Sequence, residues 1–505
     1  MSQKSQFMNA VRSGQSIDKG ASLRIGVSVA GSLAAGIAGW FIVSYDNPLT
    51  ATLIIAAITI FVLAILNPKA GLYLLVIVTG YIDLVKRLGI LAGDLPYSDV
   101  VVTMAVAPIL FACICVGVVL QYVFRPRPLE RWQYVILVVV VLLMISVLLK
   151  DVSGGTGLLE GLQDFANSGA YFPLMLIAGI LFPKPEDVKQ FVKFCLIIYI
   201  PVALYAIWQQ IFGLNDFEIN YLQTGYTMTV GLLDDVRPRP FSTLNSPHAL
   251  TVVTAVLALL AIFINLKGSK RAAWQIPVGI LFTAACGASE GRAGWVLFAL
   301  GVIGWICFRR AWTTIGFYGL VTAILVLLIV NADFLLDSLE TLQQKLPGGS
   351  AFTEQTFRIE TFSDRLYSFR NMMTNPLFHT WFGNPELQGH KGGETVAHDE
   401  LVHDQLTQIL VQFGFVGLSG FLSLAVGALW LTHRRVLAQR DLEIRKTAIA
   451  LLTVLAAVLY SGMLFGSHLG VFPVNVFFAF LVGSLLVCCV RTGENAASAP
   501  EPELR

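Results

Sequence analysis

Long runs of apolar residues recur along most of this chain, and they restrict its possible folds more than any other feature. Of its 505 residues, 56% are hydrophobic and only 13% are charged, whereas a soluble globular chain carries about 25% charged residues. A run of about 18 or more apolar residues can cross a bilayer as a helix. The sequence therefore predicts an all-α, polytopic integral membrane protein.

We predict about fourteen transmembrane helices, one for each apolar segment. The segments are Leu23–Tyr45, Pro48–Leu66, Ala70–Leu84, Ser98–Val123, Trp132–Leu149, Gly169–Phe182, Val188–Phe212, Ser246–Leu266, Ala272–Gly287, Glu290–Phe308, Trp312–Asn331, His403–Leu431, Lys446–Gly466 and Gly470–Val490. This division predicts a tail over 1–22, a bundle over 23–331 with outer loops at 150–168 and 213–245, a large loop over 332–402, further membrane helices over 403–490, and a disordered tail over 491–505.

The basic residues predict which side of the membrane each connection occupies. With fourteen spans, the Lys- and Arg-rich connections all fall on one side, at 4–24, 125–131, 267–271, 309–310, 433–446 and 491. Because short basic loops stay in the cytoplasm, we expect both termini there and the large loop on the outer side.

Several arginines fall on the outer side despite this rule, namely Arg237, Arg239, Arg292, Arg358, Arg365 and Arg370. A guanidinium grips phosphate in a bidentate manner, so each is a candidate anion ligand as well as a candidate solvated side chain. Arg292 is predicted about one turn inside its span, where it either snorkels to the interface or binds an anion. Glycines 287, 291 and 294 around it would let a ligand approach closely.

Two further segments place arginines near helices. Arg239 precedes a helix that we expect to start near Ser246–Pro247, and a helix N-terminus attracts anions. In the large loop, the spacing of Ile359, Phe362, Leu366, Phe369 and Met373 is typical of an amphipathic helix. On that helix Arg365 and Arg370 are either solvated and paired with Asp364 or Glu360, or ligands.

His398 and His403 stand at the start of the helix that follows the large loop. No HExxH pattern is present, so we expect no metal site there. Histidine is the usual general base at neutral pH, although a lone histidine at a helix start is more often a cap or an interface residue. Spacing alone leaves both roles open for these two histidines. His248 lies one turn into the helix that starts near Ser246–Pro247, and we expect it to be a satisfied polar residue at the interface.

Four segments together resemble one protein family. HDQLTQILVQFGFVGLSGFL at 403–422, SEGRAGW at 289–295, RPFSTLNSP at 239–247 and DRLYSFRNMMTNPLFHTWFGNPE at 364–386 are similar, in the same order, to segments of the bacterial O-antigen ligase and polysaccharide polymerase superfamily. Asp404 stands where that family usually has Asn, Phe369 where it usually has Trp, and Glu290–Gly291 interrupts its usual Ser-Arg contact.

The resemblance implies a glycosyltransferase of the C-type (GT-C) membrane fold in the bacterial inner membrane, with its active site on the periplasmic face. Such enzymes move a glycan from undecaprenyl pyrophosphate to an acceptor hydroxyl. It implies His403 as general base, with Arg239, Arg292 and Arg365 stabilising the pyrophosphate without a metal or other cofactor. We assign Arg237, Asp404, Arg370 and His398 to substrate binding. The expected partners are the lipid-linked donor, a lipid-linked glycan or lipid A-core acceptor, and membrane lipids, but no nucleic acid.

The acceptor decides between related activities. A second lipid-linked repeat unit would make the protein a polymerase, which we favour because polymerases occur in most polysaccharide pathways. Lipid A-core would make it an O-antigen ligase, and a protein side chain an oligosaccharyltransferase. A flippase or other transporter, whose ionisable residues would line a midplane pathway, and a structural membrane subunit are the alternatives of other classes.

Overall fold

The fold is a bundle of helices, and the residues described form no strand. The computed structural model describes residues 48–91, 97–124, 129–153, 162, 165–166, 169–223, 239–266, 273–345, 366–367, 369–370, 372–382, 404–466 and 468–497. The first half contains α1 (Pro48–Leu66), α2 (Pro68–Leu91), α3 (Tyr97–Phe124), α4 (Arg131–Ser153), α5 (Leu174–Leu181), α6 (Pro185–Phe212) and α7 (Asp216–Gln223).

The second half of the chain supplies the centre of the bundle. It contains α8 (Pro247–Phe263), α9 (Gln275–Ala288), α10 (Arg292–Cys307), α11 (Ala311–Val330), α12 (Ala332–Lys345), α13 (Gln405–Leu422), α14 (Leu429–Ala438), α15 (Leu442–Phe465) and α16 (Val474–Ala497). A π-helical turn, Ser423–Ala428, joins α13 to α14, and short 3-10 turns lie at Pro376–Phe378 and His468–Gly470.

The prediction of an all-helical membrane protein is confirmed. Within the described ranges, seven helices are long and apolar enough to cross a membrane, and five further apolar helices have 10–17 residues. The helices α8 and α15 are buried along nearly their whole length, whereas α4 and α11 expose most of their apolar side chains. Apolar side chains that face outward are stable only against lipid.

The predicted number of about fourteen spans is not confirmed, because seven helices within the described ranges meet the length and apolar composition of a full span. The segment Gly169–Phe182 contains only the short helix α5 after a turn. The segment 23–45 lies outside the described residues. At the other end, α16 continues past the predicted boundary at Val490 and reaches Ala497.

The packing of α8 against α10 defines two ends of the bundle. The two helices run parallel, since Thr251 packs against Gly291 and Gly294 while Leu259 packs against Gly301. At the far end, His433 of α14 contacts the carbonyl of Phe308 and the hydroxyl of Thr314. We call these the Arg292 end and the His433 end.

Basic connections gather at the His433 end. Arg309 and Arg310 follow α10 there, and Arg434, Arg435, Arg440, Arg445 and Lys446 surround the turn between α14 and α15. This clustering agrees with the sequence-based assignment of these connections to one side. Which side is cytoplasmic stays a prediction.

The helix α13 is interrupted at Gly414. This residue has φ 63° and ψ −163°, outside helical values, a conformation that glycine adopts at little cost. The amides of Phe415 and Val416 donate instead to the carbonyls of Thr380 (2.9 Å) and Trp381 (3.2 Å) in the large loop. The loop is therefore joined to the membrane helix by main-chain hydrogen bonds.

Candidate active site

An irregular segment, residues 239–246, leads into α8 at the Arg292 end, and we call it the strap. Its first residue, Arg239, is half-buried, and the residues after it are largely buried. Ser246 caps α8 by accepting a hydrogen bond from the amide of Ala249 (3.2 Å), and Pro247 opens the helix. The predicted helix start is confirmed, and it places Arg239 shortly before a helix N-terminus.

Arg292 is the first residue of α10 and is half-buried. The prediction that it lies one turn inside its span is wrong, because Ser289 and Glu290 form a turn and Glu290 has a φ of 54°. Two of the glycines around it pack against another helix: Thr251 donates to the carbonyl of Gly291 (3.0 Å), and a Cβ at Gly294 would overlap Thr251. They bring α8 and α10 together, so they are not by themselves a sign of a ligand. The third, Gly287, packs against Trp295.

The start of α13 is fixed by Asp404, which is fully buried. One carboxylate oxygen accepts from the amide of Thr407 (2.8 Å) and the other from its hydroxyl (2.6 Å). The next residue, Gln405, accepts a hydrogen bond from the amide of Leu469 (3.0 Å). Asp404 is therefore a helix cap, and its assignment to substrate binding stays a prediction.

A chain of side chains links this turn to α8. His468 Nδ1 lies 3.2 Å from His248 Nε2, and His468 Nε2 lies 2.9 Å from the hydroxyl of Ser461. Ser461 in turn is 3.2 Å from the carbonyl of Val458, which can only accept. Sequence reasoning treated His248 as an interface residue and did not single out His468. The signal was a histidine between glycines, at 466–470, in a short turn between two apolar runs.

These contacts bring three helix starts to the same end of the bundle. Thr251 joins α8 to α10, and the pair His248–His468 together with Gln405–Leu469 joins α8 to α13. Arg239, Arg292 and Asp404 thus share the Arg292 end. Four predicted site residues lie outside the described residues, namely Arg237, Arg365, His398 and His403.

Arg370 lies in the described part of the large loop. Its Nε is 3.0 Å from a carboxylate oxygen of Asp333, at the start of α12, and both side chains are largely exposed. Nearby, Leu366 and Phe369 are buried against Ala332, whereas Met373 is 53% exposed. The loop segment therefore covers the end of α11 with only part of its predicted apolar stripe, and the proposed role of Arg370 in binding substrate stays a prediction.

An apolar groove runs along α11 towards the same end. It has a volume of about 800 Å³ and lies between α11 and the π-helical turn with α14. Gly319 lines it from α11 and Trp430 from α14, and Asn331, the residue between α11 and α12, also lines it. A long apolar chain would fit such a surface.

An ion pair lies beneath the strap. Arg87 of α2 is 3.2 Å from Glu218 of α7, and the two side chains are 1% and 0% exposed. Burial raises the pKa of Glu218, while the amide of Asn215 and the side chain of Arg87 favour its charged form. The sequence shows Asp83, Lys86 and Arg87 as a charged group near a helix end, but nothing in it relates them to the strap.

No three His, Cys, Asp or Glu side chains lie close enough to hold a metal ion in the part of the chain that the structure describes. The expectation of a metal-independent reaction stays a prediction.

Fold and site together define a multi-pass helical membrane protein with polar residues gathered at one end of the bundle. Residues 277–422 match the family model described as O-Antigen ligase. The chain thus carries a domain of the O-antigen ligase and polymerase superfamily, as its motifs predict. The matched region includes Arg292, Asp404 and three of the four motifs, and it excludes the strap with Arg239. No curated protein matches the chain significantly.

The match to this family supports an enzyme at the general level. Its members are glycosyltransferase-like ligases and polymerases, which act on lipid-linked glycans.

Proposed function

We propose that this protein transfers a glycan from undecaprenyl pyrophosphate to the hydroxyl of another lipid-linked repeat unit, as a polysaccharide polymerase. The observation that carries the proposal is the meeting of three helix starts at one end of the bundle, with Arg239, Arg292 and Asp404, within a chain that matches the ligase family. Transfer to lipid A-core is the second candidate, and the description of the matching family favours it.

Glycan transfer requires three events at this end of the bundle. The acceptor oxygen attacks the anomeric carbon, the bond from that carbon to the pyrophosphate oxygen breaks, and the hydroxyl proton passes to a base. We assign the base to His403, whose assistance is worth about 10²–10⁴ in rate. Arg239, Arg292 and Arg365 would stabilise the charge that develops on undecaprenyl pyrophosphate as it leaves.

The groove along α11 supports the proposal that the donor carries a membrane-bound polyprenyl tail. A polyprenyl tail in the groove would lie against Gly319 and Trp430, with its pyrophosphate beyond Asn331. That end of the groove adjoins the loop segment that carries Arg370. The periplasmic position of the site and the cytoplasmic position of both termini remain part of this proposal.

The test is the glycan profile of cells that lack the protein and are complemented with wild type or His403→Ala. The matched control is His379→Ala, an exposed loop histidine whose Nε2 lies 3.0 Å from the carbonyl of Met372. Single repeat units without long chains in the His403→Ala cells indicate a polymerase. Long lipid-linked chains with bare lipid A-core indicate a ligase.

A normal profile with His403→Ala would contradict its role as base and favour a transporter. A normal profile in cells that lack the protein altogether would reject the transferase function. Arg292→Ala should lower transfer about 10²–10³-fold, whereas Arg310→Ala, at the other end of the same helix pair, should not.

A further inference from the structure

The ion pair between Arg87 and Glu218 is unusual because charges inside a membrane bundle are costly. Glu218 accepts four hydrogen bonds: from Arg87 (3.2 Å), the hydroxyl of Tyr205 (2.9 Å), the amide of Gln209 (2.6 Å) and, through its second oxygen, the backbone of Asn215 (3.1 Å). Such a set of donors compensates the desolvation of the carboxylate.

The Nε of Arg87 donates to the carbonyl of Asp83 (3.1 Å), within its own helix, and its Nη2 binds the strap. Its Nη2 donates to the carbonyls of Ser242 (2.7 Å) and Leu244 (3.3 Å), and its guanidinium lies 4.6 Å from the ring centre of Phe241. These are backbone groups of a segment without regular secondary structure. The arginine therefore satisfies carbonyls that no helix or sheet would satisfy.

Gln209 holds the strap from the second side. Its side-chain oxygen accepts from the amides of Phe241 (3.1 Å) and Ser242 (2.6 Å), and its nitrogen donates to Glu218. Ser242 is held at a φ of 54°, a conformation that L-residues adopt only when their surroundings enforce it. Arg87, Glu218 and Gln209 therefore form one network around the middle of the strap.

A buried ion pair is not needed to stabilise a bundle, because apolar residues of similar size are often as good or better. What apolar residues cannot do is hold two carbonyls and, through Gln209, two amides of an irregular segment in one place. We propose that Arg87 and Glu218 are positioning residues for the transfer reaction, which hold the strap so that Arg239 and the start of α8 face the donor's pyrophosphate. This inference rests on the proposed function.

The test compares two double variants of the full-length protein in detergent. Arg87→Met with Glu218→Met removes the network, and Lys69→Met with Asp187→Met removes a partly exposed ion pair (2.9 Å) between α2 and α6 at the opposite end. The substrate is the lipid-linked glycan extracted from cells that lack the protein. Turnover at saturating donor and the thermal midpoint are both measured.

We expect the network variant to keep a thermal midpoint close to that of wild type while its turnover falls about a hundredfold, as a misplacement of about 1 Å can cause. The control variant should keep both the thermal midpoint and the turnover of wild type. Arg87→Lys should not rescue turnover, since an ammonium cannot reproduce the fixed fork of five donors. Wild-type turnover in a stable network variant would overturn the proposal.

A second variant covers the case in which the network variant does not fold. Gln209→Met removes both amide contacts to the strap and leaves the ion pair in place, and its turnover should fall about tenfold. Unchanged turnover in this variant would also overturn the proposal. If wild type itself transfers no glycan, the proposed function fails instead, so the two failures are distinguishable.

Discussion

His468 Nδ1 and His248 Nε2 lie 3.2 Å apart, although 220 positions separate these residues in the chain. Ser461 donates to the carbonyl of Val458, and its oxygen lies 2.9 Å from His468 Nε2. In a neutral His468 whose Nε2 donates to that oxygen, Nδ1 is the acceptor for His248. This tautomer orients the His248 ring at the start of α8.

Replacement of His468 tests this chain. His468→Leu removes this contact from the half-buried His248, and the loss of one hydrogen bond costs about 0.5–1.5 kcal/mol. We expect a lower thermal midpoint in detergent and a lower rate of transfer. Ser461→Ala, which removes only the far end, should have a smaller effect on both. Equal effects of the two variants would show that the orientation of His248 is not what matters.

Two substitutions of Asp404 distinguish a role in capping α13 from a role that requires its negative charge. Asp404→Asn keeps an oxygen that accepts from the amide of Thr407, so transfer activity should stay near that of wild type. Asp404→Ala removes the cap and should destabilise the start of α13 by about 0.5–2 kcal/mol. Activity and thermal midpoint in detergent are measured together. Loss of activity in a stable Asp404→Asn variant would show that the carboxylate itself is required.

Two glycines of α10 differ in the space around them. A Cβ at Gly294 would lie 2.7 Å from the carbonyl oxygen of Thr251, whereas at Gly304 the nearest atom is 3.4 Å away, in Thr453. Gly294→Ala should therefore cost about 1–3 kcal/mol of stability through overpacking, and Gly304→Ala should cost little. The measurement is the thermal midpoint of each variant. Similar midpoints would argue against close packing of α8 on α10.

The groove along α11 has a matched pair of glycines. Gly319 lines the groove and Gly316 does not, and a Cβ at either residue meets no atom within 4 Å. Gly319→Leu should narrow the groove and raise the apparent KM for the lipid-linked donor about tenfold without changing turnover, as expected when uniform binding is lost. Gly316→Leu should leave both constants unchanged. Equal effects would place the polyprenyl tail elsewhere.

The raised pKa of Glu218 predicts that the stability of the folded protein depends on pH. Burial is the main cause of its raised pKa, so the folded protein holds this proton more tightly than the unfolded chain does. This contribution favours folding at low pH and is lost as the pH rises through the folded pKa. The thermal midpoint of wild type minus that of Glu218→Gln should therefore fall as the pH rises above the ordinary pKa of a glutamate, about 4.3. A difference that rises with pH would show that Arg87 dominates instead.

Sequence patterns predicted the helical class and the start of α8, because apolar run length and a Ser-Pro pair are local signals. They also marked Arg239 and Arg292 as candidates, because cations on the outer side break a general rule. They did not reveal the role of Arg87 or His468. Each of these acts through contacts with distant residues, Glu218 and His248, and single-sequence periodicity carries no information about such pairs. Gly291 and Gly294 suggested the approach of a ligand for the same reason, since the group that approaches them is Thr251 of another helix.

The hydrogen bonds from Phe415 and Val416 to Thr380 and Trp381 limit where the large loop can change in length. They attach the loop to α13 next to Gly414. The attached loop residues come directly before the interval between Phe382 and Asp404. Insertions or deletions between Phe382 and His398 would change the loop's length without shifting the register of the anchored part. The length of the loop can therefore differ among relatives while the helices that hold Arg292 and Asp404 stay in place.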